Sequence, residues 1–259
     1  MAIWIDPPIW PAHGRLWAHV ISDTSLEELH AFAARVGIPA RSFEGDHYDV
    51  PAERHAEIVA AGAVLVEGRE LVRKLHASGL RFRKRKGDRP LVRVRDGLPA
   101  VGSPHVLDVV ASRNEPPRTA GAAVVLVGVP GDGMVLVRSV GRPIWTPPGG
   151  KRDLGEGLRS GAVRELQEET GLVVPERALE PVGYERITIE AGTEVPPWDA
   201  GENHIAVYGT WLASRMPVAP AAEDVAEAGW FRYEEALERC GDQHWWVLVE
   251  KWFLARAAR

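Results

Sequence analysis

Cysteine is nearly missing from this chain: its 259 residues hold one, Cys240. A single thiol excludes an internal disulfide framework and any zinc site built on cysteine pairs. Long apolar runs are missing as well. No stretch of about 18 apolar residues occurs, which excludes a hydrophobic membrane-spanning helix. The opening residues, MAIWIDPPIW, lack a basic segment followed by an apolar one, so no secretory signal is expected and a cytoplasmic location fits. Repeats and long low-complexity tracts are also lacking. What remains is an ordinary folded composition, 45% hydrophobic and 26% charged, at a length that suits two domains.

The net charge of −5 is unevenly spread. Residues 1–80 carry 7 Lys/Arg against 11 Asp/Glu, residues 81–96 carry 8 against 2, and residues 97–259 carry 16 against 23. A short basic block therefore lies between two acidic regions. Residues 1–80 alternate strand and helix signals. AIWID is stopped by a Pro pair; SDTSLEELHAFAARVG opens on cap residues, spaces Leu26, Leu29, Phe32 and Ala33 helically and closes at Gly37; VPAERHAEIVAAG repeats the pattern, AVLV follows as a strand and RELVRKLHA as a third helix. This predicts a small α/β domain over 1–80. Residues 81–118, rich in charge, Pro and Gly, read as a basic linker with one or two short strands, LVRVR and VLDVV. A second domain is expected over 119–259. GAAVVLVG and MVLVRSV are strands joined by VPGDG, followed by a loop, a helix, the strands ERITIE and HIAVYGTWLA, the helix YEEALERC and an amphipathic terminal helix with Trp245, Val249 and Trp252 or Phe253 at helical spacing.

The most informative stretch is GGKRDLGEGLRSGAVRELQEETGL, residues 149–172. Glu165, Glu168 and Glu169 are spaced i, i+3, i+4, which puts three like charges on one helical face, where they repel. A positive partner is expected there, and hard carboxylate oxygens suit Mg²⁺ or Mn²⁺. Ala162, Val163, Leu166 and Thr170 fall on a side that can face a sheet, Gly149 and Gly150 allow a tight loop, and Gly171 ends the helix.

This stretch resembles the box of the Nudix hydrolases, G-x5-E-x7-R-E-U-x-E-E-x-G-U. Gly150 is followed by KRDLG, Glu156, GLRSGAV, then Arg164, Glu165, Leu166, Gln167, Glu168, Glu169, Thr170, Gly171 and Leu172, matching every fixed position. The resemblance covers roughly residues 120–240. It implies a Nudix α/β/α sandwich beside the smaller N-terminal α/β domain, so the fold class is α/β and α+β. It further implies that Glu165, Glu168 and Glu169 bind Mg²⁺ or Mn²⁺, with the Gly149 carbonyl and Glu156 as further ligands, and that Arg164 pairs with Glu156. A water then attacks phosphorus in a nucleoside diphosphate linked to another group, with Lys151 or Arg152 steadying the leaving phosphate. Glu168, Glu165 and Arg164 are the implied catalytic set. The general base stays open between Glu168 and a distant carboxylate among Glu190, Glu194, Glu202, Glu223 and Asp224. The partner is a small nucleotide. The alternative is a protein that senses a nucleotide or ADP-ribose without turnover.

Other residues divide between site and packing. Trp145, Trp198 and Tyr184 can stack on a base or simply pack. Trp245, Trp246 and Trp252 read as core or a homodimer contact, and His204 as structural. In the basic block RFRKRKGDRPLVRVR, with Phe82 as its one aromatic, a solvated linker is favoured over nucleic-acid contact. Six of the nine histidines lie in the first 76 residues. His13, His19, His47 and Asp49 stand at strand or loop ends and form the candidate metal or phosphate site of this domain, although no spacing matches a known metal template. DPPIWPAHGRLWAHVISD and FEGDHYDVP resemble an uncharacterised bacterial domain found ahead of Nudix domains, which brings no activity with it.

Overall fold

The computed structural model describes residues 2–257. The chain divides into two compact units, Met1–Arg85 and Lys86–Arg259.

The first unit is built on β1 (Ile3–Ile5), β2 (Trp10–Ala12), β3 (Arg15–Ser22), β4 (Tyr48–Pro51) and β5 (Val64–Leu65), with helices α1 (Leu26–Arg35), α2 (His55–Ala60) and α3 (Gly68–Ala77). The long strand β3 is the centre. It pairs antiparallel with β1 and β2 along one edge and with β4 on the other, and β5 adds parallel to β1. Helix α1 starts where Ser25 accepts the Glu28 N–H at 3.1 Å, which satisfies one of its free donors. It then buries Leu26, Leu29, Phe32 and Ala33 against Ile3, Ile5, Val20 and Val50. Helix α3 buries Leu71 and Leu75 on Ile21.

The second unit holds β6 (Arg89–Arg95), β7 (His105–Ala111), β8 (Ala122–Val129), β9 (Gly133–Ser139), β10 (Gly149–Lys151), β11 (Glu180–Ile189), β12 (Gly201–Trp211) and β13 (Val225–Arg232), with α4 (Leu158–Thr170), α5 (Tyr233–Cys240) and α6 (Trp246–Ala257). Among the described residues the strands form one eight-stranded sheet in the order β13-β9-β8-β12-β11-β7-β6, with β10 also on β8. Period-two alternation sorts the side chains of each strand between two faces. Val125 and Val127 of β8 and Tyr208 of β12 meet Ala162 and Leu166 of α4. Leu126 and Val207 meet Trp246, Val249, Trp252 and Phe253 of α6. The sheet is thus a middle layer between helices, the mixed α/β class expected.

The stretch 81–118, expected as a linker with the short strands LVRVR and VLDVV, is divided between the units, and both strands are present. Arg81 pairs with Asp46 and Lys84 with Glu44 inside the first unit. β6 and β7 are the edge and its neighbour in the sheet of the second unit, with β7 paired to β11 over seven residue pairs. The reason is ion pairing. Arg93 of β6 and Arg186 of β11 converge on Asp108 of β7, which is fully buried, at 3.2 and 2.7 Å. Arg93, which reads as part of a solvated run, therefore helps to hold strands together. The terminal tryptophans are taken up by the core: Trp246 and Trp252 are buried, and Trp211 stacks on Trp252 with ring centres 4.0 Å apart. No described helix is long and apolar enough to cross a membrane.

Candidate functional site

β8 pairs with β9 only at its far end, through Gly128 and Val129. The near half of the same edge is taken by β10, with Gly149 opposite Val124 and Lys151 opposite Ala122. This arrangement presses a glycine strand against α4. Gly149 has φ 152°, and a Cβ there would lie 2.2 Å from the Ala123 carbonyl oxygen. A Cβ on Gly150 would lie 2.5 Å from the Glu165 carboxylate. Both glycines are required by close approach, not by turn formation alone.

Helix α4 then presents its carboxylates to that strand. Glu169 is buried and accepts the Gly149 N–H at 2.7 Å. Arg164 lies in the middle of the acidic groups. Its Nε and one terminal nitrogen donate to Glu156 at 3.1 and 3.0 Å, and the other terminal nitrogen donates to Glu165 and Glu168, both at 2.9 Å. It also donates to the Lys151 carbonyl at 3.0 Å, fastening loop to helix. Gly171, in the left-handed region at φ 73°, caps the helix. Its last carbonyls are met by the following loop: Ala219 N–H donates to Thr170, and Ala221 and Ala222 N–H groups donate to Glu168. That docking brings Asp224 close enough to act on Glu165 and Glu169.

The electrostatics follow from this crowding. Burial raises the Glu165 carboxyl above its ordinary value, against the pull of Arg164. Burial pushes Glu169 up to about 7, with Glu165, Asp224 and Glu168 adding to the rise and the Gly149 N–H opposing it. Crowded, partly desolvated carboxylates of this kind favour a cation. The donor set is all oxygen, so a hard dication such as Mg²⁺ or Mn²⁺ fits it, with Glu165, Glu168 and Glu169 as the holding side chains.

Beside β10 opens a cavity of about 550 Å³. It runs from Gly149, Gly150 and Lys151 to Trp198, Trp245 and Leu248. That volume suits a nucleoside-sized ligand. Of the substrate-binding candidates, Lys151 lines it. Trp145 and Arg152 do not: Trp145 packs edge-on against Phe231 with centres 4.7 Å apart, and Arg152 turns to the Arg118 carbonyl at 3.4 Å. All five candidate bases are exposed; of them Glu202 lines the cavity and Asp224 acts on the helix carboxylates. Tyr184 is buried and donates to Asp88 at 2.7 Å, and His204, within β12 and not at its start, lies 3.3 Å from the Thr119 hydroxyl.

Sequence reasoning missed Glu185. It lines the cavity from β11 while 5% exposed, and its Oε1 has no hydrogen-bond partner among the described residues. Desolvation pushes its carboxyl up to about 7. Strand alternation was the available signal: Glu185 shares a face with Ile187 and Ile189, both core residues, which is an unusual place for a carboxyl group.

In the first unit the structure brings His19, His47 and Asp49 together, with one donor atom from each within 4.8 Å of the others. His13 is not with them. It occupies the exposed β2–β3 hairpin turn at φ 50°, where its backbone makes the turn. Burial lowers the His47 pKa, but hydrogen bonds to Asp46 and Asp49 outweigh this and raise it to about 9.

Comparison with known proteins follows this division. The family described as NUDIX domain matches residues 117–250, and the family described as Protein of unknown function (DUF4031) matches residues 3–78. No curated protein matches the chain. Among solved structures it is similar to a MutT/nudix family protein from Enterococcus faecalis (20% identity, 45% of this chain and 44% of that one, TM-score 0.35). It is similar to the NUDIX domain of Shewanella oneidensis NrtR complexed with ADP ribose (19% identity, 54% and 89%, TM-score 0.42). It is also similar to the Bacillus subtilis pyrophosphohydrolase BsRppH (18% identity, 59% and 89%, TM-score 0.42). The chain spans less than half the length of the Enterococcus protein.

Proposed function

Since the chain belongs to the NUDIX family, whose match covers just over half of it, we propose that its second unit is a hydrolase of a diphosphate linkage within a nucleoside diphosphate joined to another group. One observation carries the reading: the carboxylates of Glu165, Glu168 and Glu169 and the Gly149–Lys151 strand stand beside a cavity of nucleoside size. A bound Mg²⁺ or Mn²⁺ would neutralise the diphosphate and lower the pKa of the attacking water.

The chain's own residues supply the rest. Glu165 and Glu169 are held inward, by Arg164 and by the Gly149 N–H. Glu168 is half-exposed, and among the described residues its side chain is tied only to Arg164. It therefore takes the proton as the water oxygen attacks phosphorus and the bridging P–O bond breaks. The departing phosphate leaves with the bridging oxygen and is steadied by the Lys151 ammonium. Arg164 fixes the loop and helix carboxylates in one geometry. Nucleoside selection falls to the cavity wall, where Trp198 and Trp245 offer apolar rings and Glu185 and Asn203 offer polar atoms.

The test is turnover by the purified full chain with Mg²⁺ on NADH, ADP-ribose, diadenosine polyphosphates, nucleotide sugars and oxidised nucleoside triphosphates. Cleavage that disappears in Glu168→Gln supports the reading. Tight binding of any of these without cleavage would replace it with a nucleotide sensor.

A further inference from the structure

The histidine cluster of the first unit is built differently from the carboxylate ridge. His19, on β3, stands directly opposite Asp49, on β4, in the antiparallel register. His47, immediately before β4, precedes Asp49 by two residues, and its Nε2 lies 3.4 Å from an Asp49 oxygen. The imidazole rings lie 5.0 Å apart, nearly perpendicular.

Each ring is anchored from behind by a buried carboxylate. His19 Nδ1 lies 3.0 Å from Asp6, and His47 Nδ1 lies 2.5 Å from Asp46. Asp6 and Asp46 are 1% and 2% exposed. Each is already committed as an acceptor. Asp6 takes the backbone N–H of His19 at 2.6 Å and the indole N–H of Trp10 at 2.8 Å. Asp46 takes the backbone N–H of Phe82 at 2.6 Å and faces Arg81 at 3.4 Å. An ionised carboxylate only accepts, so both Nδ1 atoms must carry the hydrogen. Nε2 is then the ring position left to face an ion, and His47 must give up the hydrogen it holds toward Asp49 when one binds. Both Nε2 atoms point at the same Asp49 oxygen, at 3.8 and 3.4 Å.

Two imidazole Nε2 atoms and a carboxylate oxygen converge on one point, and each imidazole is oriented by a carboxylate behind it. This is the arrangement by which proteins fix the tautomer and basicity of metal-ligating histidines. We propose that the first unit binds one divalent transition-metal ion of the Zn²⁺ or Fe²⁺ kind through His19 Nε2, His47 Nε2 and the Asp49 carboxylate. The nitrogen donors set it apart from the all-oxygen ridge of the second unit, which suits Mg²⁺. His19, His47 and Asp49 are 26%, 16% and 36% exposed at their side chains, so the ligand face opens to solvent and leaves a position for water or an anionic ligand.

The test uses the full chain, stripped with chelator and titrated with Co²⁺ in the presence of excess Mg²⁺. One equivalent is expected to produce visible d–d absorption that one equivalent of Zn²⁺ abolishes. His47→Ala and Asp49→Asn should each weaken Zn²⁺ binding by about 100-fold or more. Asp46→Asn should weaken it roughly 10- to 100-fold. Glu168→Gln should leave it unchanged. Circular dichroism checks that each variant folds, and ¹⁵N spectra of the unaltered chain give a readout that needs no variant. On Zn²⁺ addition the Nε2 resonances of His19 and His47 should shift while Nδ1 stays protonated. Absent absorption, absorption that persists in folded His47→Ala, or unshifted Nε2 resonances would overturn the proposal.

Discussion

The two units place carboxylates side by side to opposite ends. In the second, Glu165, Glu168 and Glu169 share a helix face, and Arg164 of the same helix supplies the opposing charge. In the first, the carboxylates play two separate roles. Asp6 and Asp46 are buried behind the rings, and Asp49 stands in front of them. A helix can gather like charges by spacing alone, because residues three and four apart are neighbours. A sheet gathers donors by register, so its site needs two strands and partners from elsewhere. The difference teaches that the ridge is local and the histidine cluster is not.

The largest expected effect probes this separation. Glu168→Gln should lower turnover on the substrate found in the nucleotide screen by about 10²- to 10⁴-fold, the range for losing a general base. Co²⁺ binding by the first unit should not change. Asp224→Asn should cost less; a loss as large as that of Glu168→Gln would move the base to the loop.

Backbone substitutions come next. Gly149→Ala puts a methyl into the Ala123 carbonyl at a φ that side chains avoid, and neither atom can move without parting β10 from β8. It should destabilise the second unit by about 1–3 kcal/mol or more in denaturant melts. Gly150→Ala first meets the carboxylate of Glu165, a side chain that can swing away. It should therefore cost less stability and more metal affinity, measured by Mn²⁺ titration. Equal destabilisation by the two would contradict the close-approach account.

Glu185 gives a pH test. Unfolded, its carboxyl ionises near its ordinary value; folded, only near 7. Folding thus favours the neutral form, so its contribution is complete below about pH 4.5 and is lost as pH rises through 7. That contribution is at most about 3 kcal/mol. Glu185→Gln stays neutral and should flatten the decline in stability between pH 5 and 8. Glu169 slopes in the same direction, so the quantity to compare is the difference between wild type and variant. The smallest effects belong to Arg152→Ala and Trp145→Phe, which should change KM less than twofold, because neither side chain lines the cavity.

Legibility in the sequence tracked distance along the chain. The box spans 23 consecutive positions, and its helix, its glycines and its glutamates could all be placed from spacing. Glu185 and Asp224 were harder. Glu185 is significant only because Trp245 and Leu248 of the terminal segment line the same cavity, and Asp224 only because residues 219–222 dock on the end of α4. The candidate group His13, His19, His47 and Asp49 mixed three residues that meet with one that turns a hairpin. Asp6 and Asp46 were visible as acids but not as partners of particular rings.

The amino-acid order by itself determined the helix of α4, the sign and hardness of its donors, and the family to which the second unit belongs. These depend on neighbours within a few turns, where geometry is set by the 3.6-residue period. Tertiary structure alone decided that the strands LVRVR and VLDVV would join the sheet of the second unit, that a buried carboxyl would face a cavity, and that two histidines would aim at one aspartate. Each of those depends on pairing between strands far apart in sequence, where a shift of one residue would turn every side chain to the other face.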